Sequence, residues 1–198
     1  MRLHRFNSLL LVLAVTWGAS PARTADEDFG QFGIFAKTSP RAAACPPGTT
    51  TLPLAIRHGD RICLIGNTLF ERARLFGQLS ATLHAAFPDN ELVIRNLAWS
   101  ADEIDLTPRP ENFADIEQHL TYFKADVIIA AYGFNESFAG AAGLPEFRTK
   151  LAEFLASLQS KSFNGSSAPR IVLVPPIANE NLPGVAAADR NNATIHMY

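Results

Sequence analysis

Three short groups of polar residues in this chain combine a hydroxyl, an amide and backbone donors in the way that acyl transfer requires. They are Gly66-Asn67-Thr68, Ser100-Ala101-Asp102 and Gly133-Phe134-Asn135-Glu136. A hydroxyl can attack an ester carbonyl when a base accepts its proton. Backbone N–H groups and amide side chains can stabilise the oxyanion that forms. The elements that position the three groups decide whether they can act together.

Each group follows a short apolar run of the kind expected for a strand buried on both faces of a sheet. The four such runs are residues 61–65 (RICLI), 92–96 (LVIRN), 126–132 (DVIIAAY) and 170–174 (RIVLV). Segments with helical periodicity separate them, namely 69–87, 111–124 and 145–160, the last with Pro145 suited to a first helical turn. Strands that alternate with helices predict an α/β fold, a parallel sheet with helices on both faces.

The carboxyl ends of the strands are where ligands bind in open parallel sheets. The three polar groups follow the first, second and third runs, and residues 175–181 follow the fourth. We expect the first and third strands to be neighbours, so that Thr68 and Asn135 lie in one crevice at the switch point of the sheet. The sequence therefore predicts a single site at this edge.

Taken in order, the three groups resemble the sequence blocks of the SGNH, or GDSL, hydrolase family of esterases, which have a flavodoxin-like sheet. The family's Gly-Asp-Ser block corresponds to Gly66-Asn67-Thr68, its oxyanion-glycine block to Ser100-Ala101-Asp102, and its Gly-x-Asn-Asp block to Gly133-Phe134-Asn135-Glu136. The resemblance covers about residues 58–182. It implies that Thr68 is the nucleophile, that the Ala101 N–H and the Asn135 side chain form the oxyanion hole, and that Gly66, Asn67 and Gly133 support them.

The chain also departs from the family pattern. Threonine replaces the nucleophilic serine, and its extra methyl group restricts the side-chain rotamer and crowds attack. Alanine replaces the oxyanion glycine, which preserves the N–H donor if the dihedral angles of Ala101 allow it. The family's Asp-x-x-His block is absent, since His196 has Ala193 three residues before it. We therefore expect a histidine base in sequence beyond Tyr198 and a C-terminally incomplete domain, because no closing element is predicted after residue 174.

Other interpretations of the same residues stay open. Thr68 and Glu71 form a Thr-x-x-Glu capping box, in which the threonine is only a helix cap. The Gly-Asn-Thr turn is also similar to the phosphate loop of flavodoxins, although Leu64 and Ile65 upstream supply no hydroxyl donors. A non-catalytic module for esters or carbohydrates is a further alternative. His84 and His119 lie in predicted helices, where a structural role is favoured over a catalytic one.

The substrate class is only broadly indicated. Trp99, Phe134 and Phe138 predict a partly aromatic cleft, which suits an acylated carbohydrate or a lipid ester. A formal charge of -2 gives no electrostatic case for nucleic acid or an anionic membrane surface as partner. We expect no cofactor and no metal, since the two cysteines, Cys45 and Cys63, fit no zinc motif.

The first residues predict export. Positively charged residues precede an apolar run, residues 9–19, and small residues follow it, which is typical of a secretory signal peptide cleaved after Ala22 or Ala25. The run is shorter than the roughly 20 apolar residues of a membrane span, and an uncleaved anchor is the alternative. The mature chain is then secreted or periplasmic, without a membrane span, and a disulfide is chemically permitted.

The domain organisation follows from these features. Residues 1–22 are the predicted signal peptide, and residues 23–58, broken by glycines and prolines, form an irregular leader. Residues 59–198 are the SGNH hydrolase-type domain. With 47% hydrophobic and 18% charged residues in 198, the composition is that of one globular domain with a real core.

Overall fold

The computed structural model of this chain describes residues 34–198, so the predicted signal peptide lies outside the described residues. The strands are β1 (Ala43–Ala44), β2 (Arg61–Gly66), β3 (Val93–Asn96), β4 (Val127–Ala131), β5 (Lys161–Ser162) and β6 (Arg170–Val174). The α-helices are α1 (Thr68–Ala73), α2 (Gln78–Ala86), α3 (Ile116–Tyr122), α4 (Gly140–Gln159) and α5 (Ala187–Ile195). Short 3-10 turns at Pro88–Asn90 and Glu136–Ala139 complete the described elements.

Four strands form a parallel sheet in the order β3-β2-β4-β6. All four apolar runs identified in the sequence are strands of this sheet, and the first and third are neighbours, as predicted. The last residue of β2, Gly66, lies opposite Ala131 at the end of β4. The loops that follow β3, β2 and β4 therefore leave the sheet side by side at its carboxyl edge.

Helices cover both faces of the sheet, which confirms the predicted fold class. Successive side chains of a strand point to opposite faces, and those of β2 alternate between two buried clusters. The cluster on one face includes Cys63, Ile65, Leu120 of α3 and Leu158 of α4. The cluster on the other face includes Ile62, Leu64 and Phe70 of α1, with Leu79 of α2 packed against it.

The predicted helix over residues 69–87 is two helices in the structure. Helix α1 ends at Ala73, and Gly77, the N-cap of α2, has a φ of 64°, a left-handed conformation that lets the chain turn into the second helix. A continuous helix over residues 69–87 would put Phe76 on its apolar face, whereas Phe76 is 74% exposed beside this break. The sequence pattern keeps its helical period across the break, because the spacing of apolar residues does not reveal a turn made at a single glycine.

The bounds of α3 and α4 also differ from the prediction. Asp115 accepts a hydrogen bond from the N–H of Gln118, and the Gln118 side chain accepts one from Asp115 N, so this capping box starts α3 later than predicted. Helix α4 starts at Gly140, five residues before Pro145, which therefore lies inside the helix. The prediction of Pro145 in the first turn is wrong.

Residues 187–195 form α5, although no element was predicted after β6 and that expectation is wrong. The polar composition of this segment concealed the helix. Ala188 and Ile195 are its buried residues. The phenol hydroxyl of Tyr198 donates a hydrogen bond to the carbonyl oxygen of Gly140, which joins the segment after α5 to the start of α4.

The described part of the leader, residues 34–58, packs on the domain. The side-chain amide of Gln118 donates hydrogen bonds to the carbonyl oxygens of Ala36 and Ser39, and β1 pairs with β5. Both cysteines are free thiols, and burial raises the pKa of Cys63 to about 12. Among residues 34–198, no helix has the length and apolar character needed to cross a membrane.

Candidate active site

Gly66 brings the ends of β2 and β4 into close contact. Its φ is 125°, and a Cβ atom at this position would lie 2.1 Å from the carbonyl oxygen of Ala131. The next residue, Asn67, donates its backbone N–H to the same oxygen over 3.2 Å. Only glycine fits here, since a side chain would both strain the backbone and separate the two strands. This close approach sets where the chain leaves the sheet to reach Thr68.

Asn67, and not Thr68, caps α1. Its Oδ1 atom accepts a hydrogen bond from the N–H of Leu69 over 3.2 Å, and the residue has the extended backbone of an N-cap. The interpretation of Thr68 and Glu71 as a capping box is therefore wrong. The Glu71 carboxylate instead accepts a hydrogen bond from Ser100 Oγ over 3.0 Å, which ties α1 to the loop after β3.

The hydroxyl of Thr68, which the cap does not use, faces the loop after β3. Its Oγ1 atom accepts a hydrogen bond from the backbone N–H of Ala101 over 3.3 Å. Ala101 lies in a turn that the N–H of Asp102 closes by donating to the carbonyl oxygen of Trp99 over 3.2 Å. The turn thus places a backbone donor beside the hydroxyl.

Ala101 has a φ of 63°, in the left-handed region. Glycine adopts this conformation freely, whereas a residue with a Cβ atom pays roughly 1–2 kcal/mol for it. The dihedral angles of the turn therefore do allow alanine to keep its N–H directed at Thr68. They do so at the expense of local strain, which the rest of the fold has to support.

The loop after β4 contacts the same turn. Asn135 Nδ2 donates a hydrogen bond to the carbonyl oxygen of Asp102 over 3.3 Å. Glu136 joins the two loops, since its carboxylate accepts from Gly133 N at 2.9 Å and from Ile104 N at 3.1 Å. Burial raises the pKa of Glu136, while these backbone donors oppose the rise. Asn135 thus contacts Asp102, the residue that follows Ala101 in the turn.

A cavity of about 440 Å³ lies against Thr68. Leu69, Phe134 and the loop after β6 give it a largely apolar wall. The residues of that loop in the wall are Pro175, Pro176, Ile177, Ala178, Asn179 and Glu180. A cavity of this character can take an apolar group and leave its polar end at Thr68.

Trp99 and Asp102 of this turn line a second cavity, of about 210 Å³. Arg109 lies in it, and its guanidinium forms a bidentate pair with the Asp102 carboxylate at 2.8 and 2.5 Å. The same guanidinium lies over the Trp99 ring, with Cζ 4.4 Å from the centroid. Sequence reasoning missed Arg109, because it lies in an irregular, proline-flanked loop where no period or motif marks a partner.

The three aromatic residues expected in one cleft are divided between several environments. Phe134 lines the cavity at Thr68, whereas Trp99 lines the second cavity. Phe138 is 61% exposed and meets Phe134 edge-on, with centroids 5.6 Å apart. The cavity at Thr68 is therefore mostly aliphatic, with one aromatic ring from the candidate set.

None of the described histidines lines the cavity at Thr68. His119 lies beside the second cavity, and both of its ring nitrogens are buried without a hydrogen-bond partner among the described residues. Burial, followed by the charge of Arg109, lowers its pKa. His84 in α2 and His196 after α5 are exposed. Among residues 34–198, no group of three or more His, Cys, Asp or Glu side chains is placed to hold a metal ion.

No protein-family model matches this chain, and no curated protein matches it. A solved structure described as a gut microbial diltiazem-metabolizing enzyme is similar, with a TM-score of 0.51 and 16% sequence identity. The match covers 75% of this chain and 34% of that chain, so the chain spans about a third of the length of its structural neighbour. At this identity the likeness shows the fold alone.

Proposed function

We propose that this protein is a secreted or periplasmic ester hydrolase of the SGNH type, with Thr68 as its nucleophile. The observation that carries the proposal is the 3.3 Å contact between the Ala101 N–H and Thr68 Oγ1, at the carboxyl edge of the sheet and beside an apolar cavity. A helix cap does not explain this contact, since Asn67 is the cap. Two further contacts support it: Asn135 Nδ2 donates to the carbonyl oxygen of Asp102, the residue after Ala101, and Ser100 Oγ donates to Glu71 of α1.

In the proposed reaction, Thr68 Oγ1 attacks the ester carbonyl carbon and its proton passes to a base. The carbonyl oxygen becomes an oxyanion, which the N–H groups of Ala101 and Thr68 and the Asn135 amide stabilise. Collapse of this intermediate expels the alcohol and leaves an acyl group on Thr68, and water then releases the acid. Loss of one oxyanion donor costs about 3–4 kcal/mol of transition-state stabilisation.

The acyl group is the part of the substrate that the cavity at Thr68 would bind. Its wall of Leu69, Phe134, Pro176 and Ile177 offers few hydrogen bonds, and its volume of about 440 Å³ suits an aliphatic chain or a small ring. The alcohol would then lie outside the cavity. A lipid ester or an acylated carbohydrate meets both conditions.

A base must accept the Thr68 proton. Among the described residues that line the cavity, Glu180 is the one carboxylate, and Arg72 is the other charged side chain. Glu180 is therefore the first residue to test as the proton acceptor. A Glu180→Gln variant that keeps full kcat would place the base elsewhere in the protein.

Phosphate binding at the same turn is the less favoured function. A phosphate at the start of α1 needs free backbone donors, and the N–H of Leu69 already donates to Asn67. Purified protein with absorbance in the flavin region would reverse this preference. A non-catalytic ester-binding module would bind a non-hydrolysable ester analogue and show no turnover.

Covalent labelling tests the proposed function. An alkyl phosphonate probe should add once to the protein, and peptide mass spectrometry should locate the adduct on Thr68. Thr149→Ala, which removes a threonine hydroxyl from the exposed side of α4, is the matched control and should label like the wild type. Labelling that persists in Thr68→Ala, or a folded wild type that neither labels nor hydrolyses an activated ester, would contradict the proposal.

A further inference from the structure

The buried ion pair between Arg109 and Asp102 holds the turn that carries Ala101. The side chains of Arg109 and Asp102 are 16% and 7% exposed, so both charges are largely removed from water. Both carboxylate oxygens receive a guanidinium N–H, at 2.8 and 2.5 Å. A bidentate pair of this kind fixes direction as well as distance.

Arg109 holds the turn at both of its ends. Asp102 is the last residue of the turn and Trp99 is the first, and the guanidinium pairs with one and stacks on the other. Between them, Ala101 has the left-handed backbone that alanine resists. A strained conformation persists only where its surroundings over-determine it. Arg109 supplies such a restraint.

The same turn also positions the second candidate donor. Asn135 Nδ2 donates to the carbonyl oxygen of Asp102 over 3.3 Å, so the direction of the amide depends on where Asp102 lies. Movement of Asp102 would displace Asn135 and the Ala101 N–H together. Both groups belong to the proposed oxyanion hole.

We propose that Arg109 is a positioning residue of the oxyanion hole, acting through Asp102 and Trp99 on Ala101 and Asn135. The inference rests on the proposed esterase function. It assigns Arg109 no contact with substrate, and it predicts that loss of the guanidinium lowers kcat while KM changes little. An effect on stability alone would lower the folded fraction and leave the kcat of the folded protein unchanged.

The chain contains a matched ion pair for comparison. Arg170 and Asp60 form a second buried pair, with side chains 13% and 5% exposed. Asp60 precedes β2 and Arg170 begins β6, so this pair lies at the amino edge of the sheet, away from the candidate site. It joins the same two side-chain types with similar burial, although Arg170 donates to Asp60 through one guanidinium nitrogen and to the carbonyl oxygen of Ala55 through the other. Loss of the Arg170–Asp60 pair should lower stability by an amount similar to loss of the Arg109–Asp102 pair, without moving the turn from Trp99 to Asp102.

The experiment compares Arg109→Gln with Arg170→Gln in hydrolysis of an activated ester, each rate normalised to the folded fraction. Arg109→Gln is expected to lose on the order of 100-fold in kcat, the effect of a misplacement of about 1 Å, and Arg170→Gln to keep the wild-type kcat. Equal kcat values in the two variants would overturn the proposal. Arg109→Lys keeps the positive charge but cannot form the bidentate contact. It replaces Arg109→Gln if that variant does not fold, and its kcat should be lower than that of the wild type.

A second-site variant separates positioning from packing. Glycine adopts the left-handed conformation without strain, so Ala101→Gly should let the turn form with less help from Arg109. The double variant Arg109→Gln, Ala101→Gly is expected to regain about tenfold in kcat over Arg109→Gln, which corresponds to relief of roughly 1.4 kcal/mol. Absence of any recovery would contradict the positioning role.

An NMR measurement distinguishes failure of this inference from failure of the proposed function. The resonances of the Ala101 backbone amide and the Asn135 side-chain amide report the geometry of the turn whether or not the protein hydrolyses esters. Both should shift in Arg109→Gln and stay unchanged in Arg170→Gln. If the wild type is inactive but the shifts appear, the positioning contact stands and the esterase function fails; unchanged resonances in Arg109→Gln overturn the inference itself.

Discussion

The backbone N–H of Ala101 and the Oγ1 atom of Thr68 meet at 3.3 Å although 33 positions separate them along the chain. They meet because β2 and β3 are parallel neighbours, with Leu64 opposite Asn96, so that the loops after the two strands leave the sheet together. Ser100 Oγ adds a second link by donating to Glu71. The contact is therefore a product of strand order and register.

Substitutions at Asn67 and Thr68 should separate the helix cap from the nucleophile. Asn67→Ala is expected to lower the free energy of unfolding by about 1 kcal/mol, because it removes the cap of α1. Thr68→Ala should lower it less, since its hydroxyl accepts a single long hydrogen bond, and should abolish ester hydrolysis. Urea unfolding and an activated-ester assay give the two quantities.

Thr68→Ser is the control for the chemistry at this position. It keeps the hydroxyl and removes the methyl group that restricts the side chain, so activity should be retained or raised. A folded Thr68→Ala variant with wild-type activity would end the nucleophile hypothesis.

Ala101→Gly should stabilise the protein. The φ of 63° strains alanine, and glycine at such a position is favoured by about 1 kcal/mol. Thermal unfolding should show a higher Tm, and ester hydrolysis should be retained because the N–H donor remains. Ala101→Val, with a β-branched side chain in the same conformation, should destabilise the protein strongly. A lower Tm for Ala101→Gly would mean that the turn is unstrained.

Gly66→Ala is expected to prevent folding or to cost more than about 4 kcal/mol of stability. The added Cβ atom would lie 2.1 Å from the carbonyl oxygen of Ala131, between two central strands. Gly59→Ala is the matched control, since Gly59 also has a positive φ, 76°, but nothing lies within 4 Å of its added Cβ. It should cost only about 1 kcal/mol. Circular dichroism and urea unfolding would reveal the difference, and similar losses for the two variants would contradict the close approach of β2 and β4.

The pH dependence of stability should carry a contribution from His119. Burial and the charge of Arg109 lower its pKa below the ordinary value of 6.5. The unfolded chain therefore binds the proton more readily than the folded protein. Stability is full above about pH 6.5 and is lost as the pH falls below it towards the folded pKa. Urea unfolding of the wild type should show this decline.

His119→Phe should flatten that decline. At neutral pH it should cost little stability, because it replaces ring nitrogens that have no hydrogen-bond partner among the described residues. His84→Asn changes an exposed histidine of α2 and should keep the wild-type slope between about pH 5 and 6.5. The same slope in His119→Phe and the wild type would show that His119 titrates normally.

Local patterns in the sequence were sufficient for the strands of the central sheet. The four apolar runs became β2, β3, β4 and β6 with bounds within one residue of the prediction, because a strand buried on both faces needs an uninterrupted apolar run. The same runs placed the three polar groups at one edge, since parallel strands end on the same side. Helix bounds were less accurate, as Gly77 and Pro145 illustrate, because helical period does not reveal where caps and breaks occur.

The sequence by itself thus determined the fold class and the edge at which the candidate residues lie. Apolar runs predict buried strands, and their alternation with helical segments predicts that the strands are parallel. Tertiary structure decided which residue caps α1, that Ala101 is left-handed, and that Arg109 holds the turn. These features depend on contacts between loops. Which loops are in contact depends on the order of the strands in the sheet and on how closely neighbouring backbones approach each other. Neither is visible in the order of residues along one chain.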